Sequence, residues 1–93
     1  MNKTKEIKLI CIEIKKLLDK NNNEELWSDF FEGIINQIDI GVDYSHLRSI
    51  IYPIFGGMGS FNDVVLQNNE IIDIESDKKL SNLREKLFNL IVS

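Results

Sequence analysis

The chain has 93 residues, 43% of them apolar and 28% charged, with a formal net charge of −4. This describes one small domain with a single core and the composition of a soluble globular protein. It lacks an apolar run long enough for a transmembrane helix, and one cysteine with one histidine excludes both a disulfide framework and a His/Cys zinc cluster within the chain.

Residues Met1–Glu6 lead into a charge-interrupted pattern in place of the apolar segment of a signal peptide, so a cytoplasmic location is expected. From Lys5 to Leu18 the residues Ile7, Ile10, Cys11, Ile14, Leu17 and Leu18 recur at helical spacing. They form one stripe, with Leu9 and Ile12 falling off it towards the other side. Asn21-Asn22-Asn23 breaks the pattern. Asn23 is placed to N-cap a second helix, with Glu24 and Glu25 near its positive N-terminal dipole.

The second helix is predicted over about Glu24–Ile38, where Trp27, Phe30, Phe31, Ile34, Ile35 and Ile38 give the clearest periodicity in the chain. Its opposite face carries Glu25, Asp29, Glu32 and Asn36. Carboxylates three and four apart repel one another by roughly a few tenths of a kcal/mol per pair, and no base at helical spacing relieves them. A turn at Ile40-Gly41-Val42 precedes a third helix, capped by Asp43 or Ser45, with Leu47, Ile50, Ile51, Ile54 and Phe55 on one side. Pro53 disfavours helical geometry at Tyr52, so this helix should kink or stop there.

Three glycines in Gly56-Gly57-Met58-Gly59 impose a break. Ser60-Phe61-Asn62-Asp63 then fits a capping-box-like start, with Ser60 as N-cap and Asp63 three residues on. Val64-Val65-Leu66 comes next, as a short helix or an extended piece. Ile71–Glu75 is either a short extended segment or a loop whose isoleucines plug the bundle. Ser76 or Asp77 caps a last helix with Leu80, Leu83, Leu87, Phe88 and Ile91 in register. The expectation is an all-α domain, residues 1–93, of about four helices with an irregular glycine-rich middle.

Charge is segregated along the chain. Asn21–Asp77 holds eleven acids against a single base, Arg48, for a net of 1 − 11 = −10; the two ends hold ten bases and four acids, for +6. An acidic middle argues against nucleic acid as the main ligand, since phosphate binding needs a basic patch, and favours a basic protein partner. A membrane-surface role is not expected, because the stripe of the lysine-bearing first helix is needed for the core. The partner-binding candidates are Glu25, Asp29 and Glu32 of helix two, with Asp39 and Asp43 in the next turn. Leu9 and Ile12 are candidates for a homodimer contact.

No catalytic constellation stands out. Cys11 lies on an apolar stripe, where a small buried residue is expected. His46 has no second histidine or cysteine nearby in the sequence. The glycine segment lacks the Gly-Lys-Ser/Thr ending of a phosphate loop and does not come after a strand. The calcium-loop pattern is absent too. No catalytic residue, metal or cofactor is expected.

Phe55-Gly56-Gly57-Met58-Gly59-Ser60-Phe61-Asn62-Asp63 resembles a segment of a family of small, uncharacterised bacterial proteins, in which a Trp-containing amphipathic helix precedes an aromatic-Gly-Gly-Met-Gly-Ser-x-Asn-Asp stretch and an apolar run. Proteins of this kind look like immunity proteins of contact-dependent or other polymorphic toxin systems. The resemblance implies a protein that binds and blocks a cognate toxin. Such toxins are often nucleases with basic surfaces, and an acidic inhibitor would mimic their polyanionic substrate. Gly56, Gly57, Gly59, Ser60, Asn62 and Asp63 are assigned a structural role, setting the turn that docks the third helix on the next stretch of chain.

Overall fold

The computed structural model describes residues 3–21, 25–56, 60–68 and 71–93. Its elements are α1 (Lys3–Lys20), α2 (Glu25–Asp39), α3 (Tyr44–Ile51), a 3-10 turn over Tyr52–Phe55, a second over Phe61–Asp63, a two-residue antiparallel pair β1 (Gln67–Asn68) and β2 (Ile71–Ile72), and α4 (Ile74–Val92). Among the described residues this is an all-α bundle of four helices with one minimal hairpin.

α1 is the organising element because its stripe is long and regular. Ile7, Cys11, Ile14 and Leu18, spaced four, three and four residues apart, are all buried. α1 packs against both α2 and α4. It runs antiparallel to α2, since Lys8 pairs with Asp39 at one end and Asp19 accepts a hydrogen bond from Ser28 at the other. It runs antiparallel to α4, since Lys3 donates to the Ser93 carbonyl at 2.8 Å. α1 ends at Asn21, whose amide NH donates to the Leu18 carbonyl and whose side chain donates to that of Leu17. The proposed cap Asn23 and its neighbour Glu24 lie outside the described residues.

α3 starts where Asp43 caps it, its Oδ1 accepting from the His46 amide at 2.9 Å. Its first turn meets the end of α4. The Tyr44 hydroxyl lies 2.7 Å from the Leu90 carbonyl and 2.8 Å from that of Ile91, and Arg48 Nε donates to the latter. These bonds occupy carbonyls that the end of a helix leaves without intrahelical partners. Pro53 does end α3, but not as expected at Tyr52. That residue keeps right-handed helical angles, and the chain tightens into a 3-10 turn with proline early in it. Proline lacks an amide hydrogen, and the start of a turn has no use for one.

Beyond the glycines the core is closed by Phe61, Val64 and Leu66, all buried, with Val65 exposed between the last two. This alternation is that of extended chain. Phe61 is fully buried against Phe31, Trp27 and Phe55, with ring centroids at 4.9, 5.2 and 6.2 Å. Arg84 of α4 holds this segment by donating to the carbonyls of Phe61 (3.1 Å) and Val64 (2.9 Å).

Two local expectations fail, and of the two readings of Ile71–Glu75 the short extended segment, not the plugging loop, holds at Ile71–Ile72. Ser60 occupies the N-cap position of the second 3-10 turn without a side-chain capping bond, so no capping box forms. α4 begins at Ile74 with Asp73 as its cap, not Ser76 or Asp77, because Asp73 Oδ1 reaches the Ser76 amide at 3.1 Å. Asp77 instead accepts from the Leu66 amide at 3.2 Å, tying the extended segment to α4. Finally, Ile71, Ile72 and Ile74 are exposed and do not plug the bundle. The core is already filled by Leu66, Leu80 and Phe61, each with no accessible surface.

The capping carboxylates give acid sensitivity a sign. Hydrogen bonds from Ser76 hold the Asp73 carboxyl below its ordinary pKa, and Lys15 with Ser28 do the same for Asp19. A depressed folded value contributes stability that is present above the unfolded pKa, about 3.9, and lost as pH falls through the folded one. Thermal melts from neutral pH downward should therefore show stability dropping below about pH 4. Asp73→Asn keeps a capping oxygen but does not titrate, so its melting temperature should fall less steeply over that range. An unchanged slope would remove the Asp73 cap from the acid response.

Candidate functional site

The outer face of α2 is the most coherent charged surface in the molecule. Glu25, Asp29 and Glu32 are exposed on successive turns, and among the described residues none of them forms an ion pair. Their nearest positive influence is Lys15 of α1. Its ammonium is committed to Asp19 at 2.7 Å but is still stabilised in its charged form by Asp29 and Glu32.

The other two acidic candidates differ. Asp39 is exposed but bound to Lys8 at 2.5 Å, so a base from the lysine-rich first helix already balances its charge. Asp43 caps α3, which spends one of its oxygens on the His46 amide. The acidic row is therefore three residues strong, with Asp39 and Asp43 serving the fold at its far end.

Two apolar side chains complete this face. Leu26, next to Glu25 at the start of α2, is 79% exposed, and Ile40, just past its end, is 81% exposed. With Gly33 they lie seven residues apart on one line of the helix, where the Gly33 Cα faces open space. An isolated exposed leucine is ordinary, but two aliphatic side chains in line beside three carboxylates without ion pairs among the described residues give this face an apolar contact point near each end. Leu26 is detectable in the sequence, since it is the one large aliphatic residue of α2 that breaks the inward stripe.

The remaining candidates are more scattered. Leu9 is 56% exposed and Ile12 is half-buried. Val65, Ile71, Ile72 and Ile74 form a second exposed apolar group around the hairpin, with Ile71 at 72%.

At the glycine segment, Asn62 Nδ2 donates to the Phe55 carbonyl at 2.8 Å and so ties its two ends together. Ser60 is buried, and Gly56 has extended backbone that any residue can adopt. Gly57 and Gly59 lie outside the described residues, as does the side chain of Asp63. An open cleft of about 340 Å³ lies beside this segment, lined by Phe55, Asn62, Ser81, Arg84, Glu85 and Phe88. Arg84 is committed to main-chain carbonyls there.

Chemistry at the remaining reactive groups is subdued. Burial pushes the Cys11 thiol up to about 12, which leaves it protonated and unreactive at neutral pH. His46 is exposed, with Nε2 3.0 Å from Gln37 Oε1. Among the described residues no three His, Cys, Asp or Glu side chains come together to hold a metal ion. No helix among them is long and apolar enough to cross a membrane.

Residues 20–72 match the family model described as a domain of unknown function, DUF6966. The chain belongs to that family. No curated protein and no solved structure matches it. The matched span runs from the end of α1 to β2, so it contains the whole of α2 with its acidic row and the glycine segment.

Proposed function

We propose that this chain is a non-catalytic, cytoplasmic binding protein of the immunity type, which neutralises a cognate bacterial toxin domain by docking the outer face of α2 on a basic surface. The observation that supports this most is the row Glu25, Asp29 and Glu32, exposed and without ion pairs among the described residues, alongside exposed Leu26 and Ile40. Helical repulsion within such a row is relieved when a cationic surface arrives. The basic phosphate-binding face of a nuclease toxin has the complementary charge, and complementary potentials speed encounter and select the partner. Leu26 and Ile40 supply apolar anchors that lengthen the life of the complex once it has formed. Neither a metal nor a cofactor enters this reading.

The test of the toxin reading is protection. A basic toxin domain identified by co-purification with this protein is produced in cells with and without it. Wild type is expected to restore growth, and the triple variant Glu25→Lys, Asp29→Lys, Glu32→Lys to lose protection while remaining folded. Full protection by that variant would mean that α2 is not the docking face.

A further inference from the structure

The positive charge of the chain ends, distant in sequence, is gathered by the antiparallel packing of α1 on α4. Between these helices runs a groove made of two adjoining hollows of about 470 and 440 Å³ that share Lys86. Its floor is Ile10 and Leu17 from α1 with Leu83 and Leu90 from α4, each pair seven residues apart and only partly buried. Seven-residue spacing keeps these side chains in line, as in a seam that receives a further helix.

The groove is not uniform. Lys16, Lys20, Lys79 and Lys86 border the half that contains Leu17 and Leu83, with Glu13 the one acid there. Lys16 and Lys79 lean on Glu13 and Glu75 at 3.7 Å, while Lys20 and Lys86 form no ion pair among the described residues. The half around Ile10 and Leu90 is mainly apolar, with Glu6 and Lys86 at its edge. From Glu6 to Lys20 it is about 21 Å long, at 1.5 Å per helical residue.

We propose that this groove receives α2 of a second copy of the chain. The outer face of α2 matches it in length and in the order of its charges. Leu26 and Ile40 are also about 21 Å apart, and Gly33 between them lets the helix lie close. Glu25, Asp29 and Glu32 occupy the Leu26 half and would face the four lysines. At the Ile40 end the acid Asp39 is already balanced by Lys8, which suits the apolar half of the groove. This match fixes the direction: Leu26 over Leu17 and Leu83, Ile40 over Ile10 and Leu90. A two-fold contact of the groove with itself would instead oppose two sets of lysines. Such self-association needs only the protein itself and stands whether or not the toxin reading holds; if both hold, toxin and second copy compete for α2.

Sedimentation velocity tests it. The wild-type sedimentation coefficient is expected to rise between about 10 μM and 1 mM protein at low salt, as for a small and partly electrostatic interface, and the rise to be suppressed in about 0.5 M NaCl. Lys20→Glu with Lys86→Glu should stay monomeric, and so should Asp29→Lys with Glu32→Lys, each retaining its far-UV helical signal. An equimolar mixture of the two should associate again, because the reversed α2 now fits the reversed groove. The milder pair Lys20→Gln with Lys86→Gln should weaken association at least tenfold, which keeps the test decisive if a reversal unfolds. A monomeric wild type at the highest concentration, variants that associate as wild type does, or a mixture that stays monomeric would each overturn the proposal. Co-sedimentation of monomeric wild type with phosphatidylserine vesicles, lost in Lys20→Glu with Lys86→Glu, would also overturn it by assigning the groove to an anionic membrane.

Discussion

Phe61→Ala is expected to cost about 3–5 kcal/mol, the range for deleting a fully buried aromatic ring. A domain of this size has about 5–10 kcal/mol in total, so the variant should sit at the edge of unfolding at physiological temperature. The cost is large because Phe61 touches rings from three directions: Trp27 and Phe31 of α2 and Phe55 of the turn after α3. It has no accessible surface, and the guanidinium of Arg84 sits 5.7 Å above it. No neighbour is free to collapse into the space. Urea denaturation checks this through the midpoint, at unchanged slope. A loss below about 1 kcal/mol would show that Phe61 does not lock the irregular segment to the bundle.

Arg84→Ala should be the next most damaging change, at about 2 kcal/mol. The side chain donates to the Phe61 and Val64 carbonyls and, at 3.2 Å, lies beside Ser81 Oγ. Truncation leaves the Val64 carbonyl without this donor and the Phe61 carbonyl with only the Val64 amide, and the adjacent cleft lets water recover part of the loss. Both carbonyls are served by the one nitrogen Nη1, so Arg84→Lys should recover part of the loss while giving up the contact of Nη2 with Ser81. Amide exchange offers a sharper reading than the melt. The Val64 amide, which donates to the Phe61 carbonyl, should lose protection in Arg84→Ala, while α1 amides keep theirs. Equal loss throughout the chain would mean that Arg84 acts on global stability and not as a local strap.

How far the fold is legible in the residues depends on the range of the interactions involved. α2 is predictable to within a residue because Trp27, Phe30, Phe31, Ile34, Ile35 and Ile38 leave no other period. The end of α3 is predictable because proline acts on its own neighbours, although the 3-10 continuation through Tyr52 is not. Ile71–Glu75 is undecidable locally. Five residues carry too little pattern, and the exposure of Ile71 and Ile74 depends on Leu66 and Leu80 having already filled the core. Arg84 escapes a reading of the sequence for the same reason, as its work is done on main-chain groups 20 and 23 residues away, whereas the Asp73 cap is a local alternative to Ser76 and Asp77 that the short pattern leaves unresolved.

The candidate surface divides in the same way. The row Glu25, Asp29, Glu32 is set by helical spacing alone, because nothing else on α2 competes for that face. The neutralisation of Asp39 by Lys8 bridges 31 positions of sequence, beyond the reach of any local pattern. The capping role of Asp43 is a local possibility that the sequence does offer, yet it sits poorly with full availability to a partner. The charge asymmetry of the chain becomes a spatial one because α1 and α4, which carry most of the lysines, lie side by side, while α2 presents its acids elsewhere.

Stopped-flow association with a basic toxin domain that co-purifies with the protein, measured across salt concentration, bears most directly on the proposed acidic docking face. The wild-type rate is expected to fall steeply as the Debye length shrinks below about 10 Å. For Glu25→Lys, Asp29→Lys, Glu32→Lys the rate should be at least tenfold lower and nearly salt-independent, as expected when steering charges are removed. Equal rates for the two proteins at every salt concentration would contradict docking through α2.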